Sequence, residues 1–147
     1  DVTVKAGQTN PQTGANVFNF ALLYGTPTPS STPIQTAIAG TWKGYYTVPE
    51  FSSQPDNVTA YLEQNGNHIT GKSYDQDGCE GTITGTIDGS IITFEIQGKK
   101  SSNCCKSKFK GTAIITCVED YMVMTFTIKL KGNCSGEAVG SGEFWKQ

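Results

Sequence analysis

The stretch Gly81-Thr82-Ile83-Thr84-Gly85-Thr86-Ile87-Asp88-Gly89-Ser90-Ile91-Ile92-Thr93-Phe94 decides the fold. Threonines at 82, 84 and 86 alternate with Ile83, Gly85 and Ile87. A period of two puts the hydroxyls on one face of a strand and the apolar or small residues on the other. Asp88-Gly89 is a hairpin signal, because glycine enters the positive φ that a tight reversal needs. Beyond it Ile92 and Phe94 resume the alternation with Thr93 between them.

The pattern continues in both directions. Strands are expected at Thr41–Val48, Val58–Gln64, His68–Tyr74, Gly81–Ile87, Ile91–Gln97, Lys106–Cys117, Tyr121–Leu130 and Gly136–Trp145. Asn65-Gly66-Asn67 reverses the second into the third, and Glu119-Asp120 the sixth into the seventh. No helix-length segment carries apolar residues at three-and-four spacing. Short connections cannot join parallel strands, so an antiparallel meander is required. Eight strands are about the number at which such a meander closes into an up-and-down β-barrel and loses its edges. The inward set is dominated by large apolar side chains with Gln64 as its strongly polar member. That set predicts a packed interior.

Residues 1–39 differ in texture. They hold the low-complexity run Thr26-Pro27-Thr28-Pro29-Ser30-Ser31-Thr32-Pro33, which favours an extended backbone and cannot build a core. Ahead of it Val17, Phe18, Phe20, Leu22, Leu23 and Tyr24 make the most apolar segment of this region. The expectation is two parts: an extended N-terminal arm over 1–39 and a barrel domain over 40–147.

Ala39-Gly40-Thr41-Trp42 resembles the Gly-x-Trp that opens the first strand of lipocalins and avidins. The unit from Leu62 to Gly71, the stretch from Gly81 to Phe94, and Gly140-Ser141-Gly142-Glu143-Phe144 at the last strand look like secreted bacterial lipocalin-like barrels. The resemblance covers residues 40–147. It implies the barrel fold and carriage of a small apolar ligand, but no polar constellation here matches avidin's ligand-binding residues.

Composition narrows the function classes. The chain has 147 residues, 16% charged, with a formal net charge of −2 and 11 basic residues, all lysine. Without arginine there is no fork for phosphate or guanine edges, and no net positive field to attract nucleic acid. No apolar run approaches the roughly 20 residues of a membrane-spanning helix. The chain starts at Asp1 without methionine, as expected of a secreted protein after signal-peptide removal. Five cysteines fit an oxidising, extracellular compartment.

Those cysteines carry the sharpest expectation. In an up-and-down meander alternate turns share one end, which gathers Cys79, Cys104, Cys105 and Cys134 around one mouth. Cys117 falls at the opposite end, pointing inward. Neighbouring cysteines rarely bond each other, because the disulfide's geometry strains the peptide between them. Two disulfides are therefore predicted, each joining one of Cys104 and Cys105 to one of Cys79 and Cys134, with Cys117 a buried free thiol. A four-thiolate zinc site is the rival, but no Cys-x-x-Cys spacing supports it.

Other motifs read more blandly. Asp75-Gln76-Asp77-Gly78 resembles half a calcium loop but lacks the later acidic ligand, so a hydrophilic turn is expected. His68 is the single histidine and falls on the outward face, away from any nucleophile. Lys99, Lys100, Lys106, Lys108 and Lys110 cluster around one loop; they could dock an acidic surface or polysaccharide, and as a solvated strand face they aid solubility. Asn57-Val58-Thr59 and Asn133-Cys134-Ser135 match glycosylation acceptors. No acid–base pair, nucleophile constellation, metal set or cofactor motif can be named, so a non-enzymatic protein is expected.

Three functions remain. The first is an extracellular structural or interaction module whose arm docks on a neighbouring subunit or protein partner, by self-association into an oligomer or surface filament. The second is a lipocalin-like carrier of a small apolar ligand. The third is a protease inhibitor that inserts the arm into a metalloprotease cleft, as some secreted bacterial barrels do.

Overall fold

A computed structural model of the protein describes residues 36–116 and 120–147. Eight strands follow in order: β1 (Gly40–Thr47), β2 (Asp56–Asn65), β3 (His68–Asp75), β4 (Glu80–Asp88), β5 (Ile91–Gly98), β6 (Lys106–Thr116), β7 (Tyr121–Lys131) and β8 (Gly136–Lys146). Each pairs antiparallel with the next, and β1 pairs antiparallel with β8, so the sheet is a closed barrel. The expected architecture is present, with strand ends displaced by one or two residues.

Turn chemistry fixes the narrow end. Asn65 pairs with His68 and Asp88 with Ile91, leaving two-residue loops that begin with Gly66 (φ 62°) and Gly89 (φ 61°). Positive φ at the first central position alone marks type II′ turns, whose twist matches that of the flanking strands. At the wide end, longer connections join β1 to β2, β3 to β4, β5 to β6 and β7 to β8.

The period-two pattern places Trp42, Ile69, Ile83, Ile87, Ile92, Phe94, Ile115, Met122, Met124, Phe126, Ile128 and Phe144 in the core. Each such side chain removed from water contributes about 1.5–3 kcal/mol. Opposite faces carry Thr82, Thr84, Thr86, Thr93 and Thr125 with lysines and glutamates between them.

One boundary moves. Residues 36–39, placed in the arm by sequence, belong with the barrel: Ile38 is fully buried beside Trp42. The Trp42 indole Nε1–H donates to the Ile38 carbonyl at 2.8 Å, the Ile38 N–H donates to Gln64 Oε1 at 2.8 Å, and Gln64 Nε2 donates to the Thr36 carbonyl at 3.0 Å. Gln64 therefore satisfies the backbone of this plug, which is why an amide is tolerated at the rim of an apolar core.

The closing seam depends on Gly44. A methyl group there would fall on the Glu143 carbonyl oxygen and lie 2.7 Å from Phe144 Cα, both backbone atoms that cannot rotate away. Gly44→Ala is expected to destabilise the barrel by about 3 kcal/mol, the upper range for overpacking. Gly89→Ala, where the space is open and only φ is unfavourable, is expected to cost about 1 kcal/mol. Chemical denaturation of the two variants checks this; equal losses would refute the seam collision.

Candidate functional site

The barrel is not filled. A cavity of about 230 Å³ runs from the Trp42 and Ile38 floor to the wide rim. This corrects the packed interior expected from the inward side chains. Small residues among the lining, Ala60, Ser73, Gly81, Gly98, Ser107 and Ala113, leave volume that the large ones do not claim. On one side Tyr46, Phe109 and Phe126 form a ring cluster. Tyr46 lies edge-on at 5.6 Å to Phe109 and 5.7 Å to Phe126, and those two are 5.2 Å apart. Edge-to-face rings at such separations are favourable beyond their buried area.

Polarity rises toward the rim. Burial pushes the Tyr46 hydroxyl well above the ordinary phenol range, with Asp56 and Asp75 reinforcing the shift by their negative charge. Burial also raises the Asp56 carboxyl, helped by Asp75 and Asp77. Asp75 itself makes the turn expected of its motif, its Oδ1 accepting from the N–H groups of Asp77 at 2.9 Å and Cys79 at 2.8 Å. Glu80 accepts from Lys72 Nζ at 2.7 Å, Lys99 Nζ at 2.9 Å and the Tyr74 hydroxyl at 3.2 Å. The Lys72 and Lys99 hydrogen bonds hold its carboxyl down at about 2.

Two disulfides frame this mouth, Cys79–Cys104 and Cys105–Cys134. Each joins one of the adjacent cysteines to a neighbouring connection, so the β5–β6 loop is stapled on both flanks. Together they can add several kcal/mol by restricting the unfolded chain. Disulfides in this number are consistent with an extracellular protein. Cys117 and the arm residues Val17, Phe18, Phe20, Leu22, Leu23 and Tyr24 lie outside the described residues.

The lysine cluster is partly spent on local pairs. Lys99 bridges Glu80 at 2.9 Å, and Lys108 and Lys110 approach Glu95 at 3.2 and 3.7 Å. His68 is exposed on the outer face. Among the described residues, no three His, Cys, Asp or Glu side chains gather as metal ligands. Nor is any helix there long and apolar enough to cross a membrane.

No protein-family model and no curated protein matches the chain. A solved structure described as a de novo designed fluorescence-activating β-barrel is similar to it at 20% identity, with a TM-score of 0.48, over 74% of this chain and 93% of that one.

The depressed Glu80 value has a pH consequence. A carboxyl near 4.5 in the unfolded chain and near 2 in the barrel stabilises the fold fully above 4.5 and loses that contribution as pH falls through 2. The drop in melting temperature between pH 5 and pH 2 should be smaller in Glu80→Gln than in the parent. An unchanged drop would show that the two lysines do not stabilise the ionised form.

Proposed function

We propose that the chain is a non-enzymatic extracellular carrier that holds one small apolar ligand in the barrel, as the lipocalin likeness implies. The observation that supports this reading is the cavity of about 230 Å³, walled by Leu62, Ile83, Ile96, Phe109 and Met124. Apolar cavities of about 150 Å³ already take up benzene, so this larger volume, open at the rim, suits an aromatic ligand of two or three rings. Apolar walls favour the ligand's body, while Ser73, Ser107 and Asn103 near the rim offer hydrogen bonds to a polar end. The plugged narrow end leaves the disulfide-framed mouth as the route of entry.

The test is titration of the full chain with N-phenyl-1-naphthylamine, followed by its fluorescence. A dissociation constant in the micromolar range is expected. Ile96→Trp, which adds bulk to the lumen wall toward the mouth, should weaken uptake at least tenfold while preserving a cooperative melt. Absence of uptake by the parent, or equal uptake by Ile96→Trp, overturns the reading.

A second reading, a structural or interaction module that self-associates through the arm, is favoured by an outward apolar row. Ile91, Ile114 and Val123 stand side by side on β5, β6 and β7, each more than 40% exposed. They lie at the end of the barrel that Ile38 plugs. Burying this row beneath the Val17–Tyr24 segment of a neighbouring copy would remove both from water and could propagate as a filament. Light scattering should then give a mass above the monomer, returned to the monomer by Ile114→Lys or Phe18→Asp. A monomeric parent at high concentration rules this reading out.

A further inference from the structure

The outer face carries a second recess, unrelated to the lumen, across β8, β1, β2 and β3. Register places Tyr121, Trp145, Lys43, Thr59 and Tyr74 in one continuous row from β7 to β3. Three strand spacings separate Trp145 from Tyr74, about 14 Å at the usual interstrand distance. Trp145 is flanked by Tyr45, at 6.2 Å, and Tyr121, at 5.3 Å, both tilted, with interplanar angles of 38° and 36°. Tyr74 is braced against Tyr61 at 6.2 Å. Two aromatic walls thus flank a floor of half-buried Thr59 with exposed Asn57 and Lys43.

Both walls are open to solvent, with Trp145 42%, Tyr74 39% and Tyr61 51% exposed. Large aromatics left this exposed on both sides of a polar floor are the unusual feature of this part of the outer face. The floor is hydrogen-bonding rather than apolar. Asn57 Nδ2 donates to Gln76 Oε1 at 3.3 Å, and Gln76 Nε2 in turn donates to Asp56 Oδ1 at 3.4 Å, fixing the amides at the edge. The recess is not cationic: Lys43 is its cation, against Asp75 in the lining and Glu143, held by the Tyr121 hydroxyl at 3.0 Å, on the neighbouring outward row. Such a surface gives a polyanion little attraction and lacks the clustered cations that a lipid headgroup layer requires.

We propose that this recess binds a neutral oligosaccharide, its pyranose rings laid against the Trp145 and Tyr74 walls and its hydroxyls turned to the floor. A pyranose has one face of C–H groups and a rim of hydroxyls. The C–H face packs on the electron-rich face of an aromatic ring, and the hydroxyls replace water on amide, hydroxyl and ammonium groups. A span of three strands matches a short run of linked rings rather than a single sugar. Rigid aromatics on paired strands hold the walls in place before binding, which limits the ordering cost. The Asn57-Val58-Thr59 acceptor lies in the floor, so a glycan attached to Asn57 would occupy the same space.

The test uses the full, oxidised chain made in a host that does not glycosylate Asn-x-Thr sites. Calorimetric titration is run with cellohexaose, maltohexaose, mannohexaose and polygalacturonate. At least one neutral hexasaccharide is expected to bind with a dissociation constant on the order of 0.1 mM, and Trp145→Ala and Tyr74→Ala should each weaken it about tenfold. Both variants should retain the parent's melt and its uptake of N-phenyl-1-naphthylamine, because both side chains point away from the lumen. The proposal fails if no neutral hexasaccharide binds at millimolar concentration, if polygalacturonate alone binds, or if binding survives both substitutions.

Discussion

Pairing of β1 with β8 is the constraint on which the rest of the molecule depends. Antiparallel bonds from Trp42–Lys146 to Thr47–Ser141 convert an open ribbon with two edges into a ring with none. Only after that closure is there an inside distinct from an outside. The alternation of residues then sorts Gly81, Ile83, Gly85 and Ile87 inward and Thr82, Thr84 and Thr86 outward along β4. The seam tolerates no side chain at Gly44, so the closure is bound to one glycine whose absence of a Cβ is a packing requirement.

Closure also decides where chemistry can gather. An up-and-down barrel has two ends, and the connections at each end are fixed by strand parity. The narrow end receives two tight turns and the Ile38 plug, with Gln64 neutralising the plug's backbone. The wide end receives every described cysteine, the Glu80 ion-pair cluster and the acidic turn at Asp75. Stapling the β5–β6 loop on both flanks keeps this rim from collapsing into the cavity beneath it. A void lined by alkyl groups forfeits dispersion contacts, so the scaffold around it must be held by something other than the void's own packing. The disulfides and the ring cluster of Tyr46, Phe109 and Phe126 supply that support.

The strand order, the closure and the gathering of cysteines were legible because each follows from a local signal with one geometric outcome. Alternation at Thr82–Ile87 means a two-faced strand; glycine after Asn65 and Asp88 means a reversal; loop parity then places Cys79, Cys104, Cys105 and Cys134 together. The cavity was not legible from the same alternation. Adding up the large inward residues conceals how many inward positions hold glycine, alanine or serine, and the missing volume at Ala60, Ser73, Gly98, Ser107 and Ala113 is the signal that could have been used. Ile38 was missed because it lies outside any strand, joined to the core only through Trp42 and Gln64, contacts separated by 4 and 26 positions in the chain. Glu80 was passed over for the opposite reason. Its partners Lys72 and Lys99 are unremarkable lysines until the register of β3 with β4 and the return of β5 bring them to one carboxylate.

The outer face then poses a question that the core cannot answer. Inward aromatics such as Phe94 and Phe144 are explained by burial, and outward threonines by strand preference. Trp145, Tyr74 and Tyr61 share that strand preference, but each leaves a large ring in water at a position where threonine would serve the sheet as well. Cross-strand ring pairing contributes roughly 0.2–1 kcal/mol per pair, less than burying one such ring would contribute. Sheet stability alone therefore does not account for two aromatic walls separated by a polar floor. A ligand that covers the rings when it binds resolves the imbalance, and it does so without drawing on the lumen, whose own walls face the other side of the same strands.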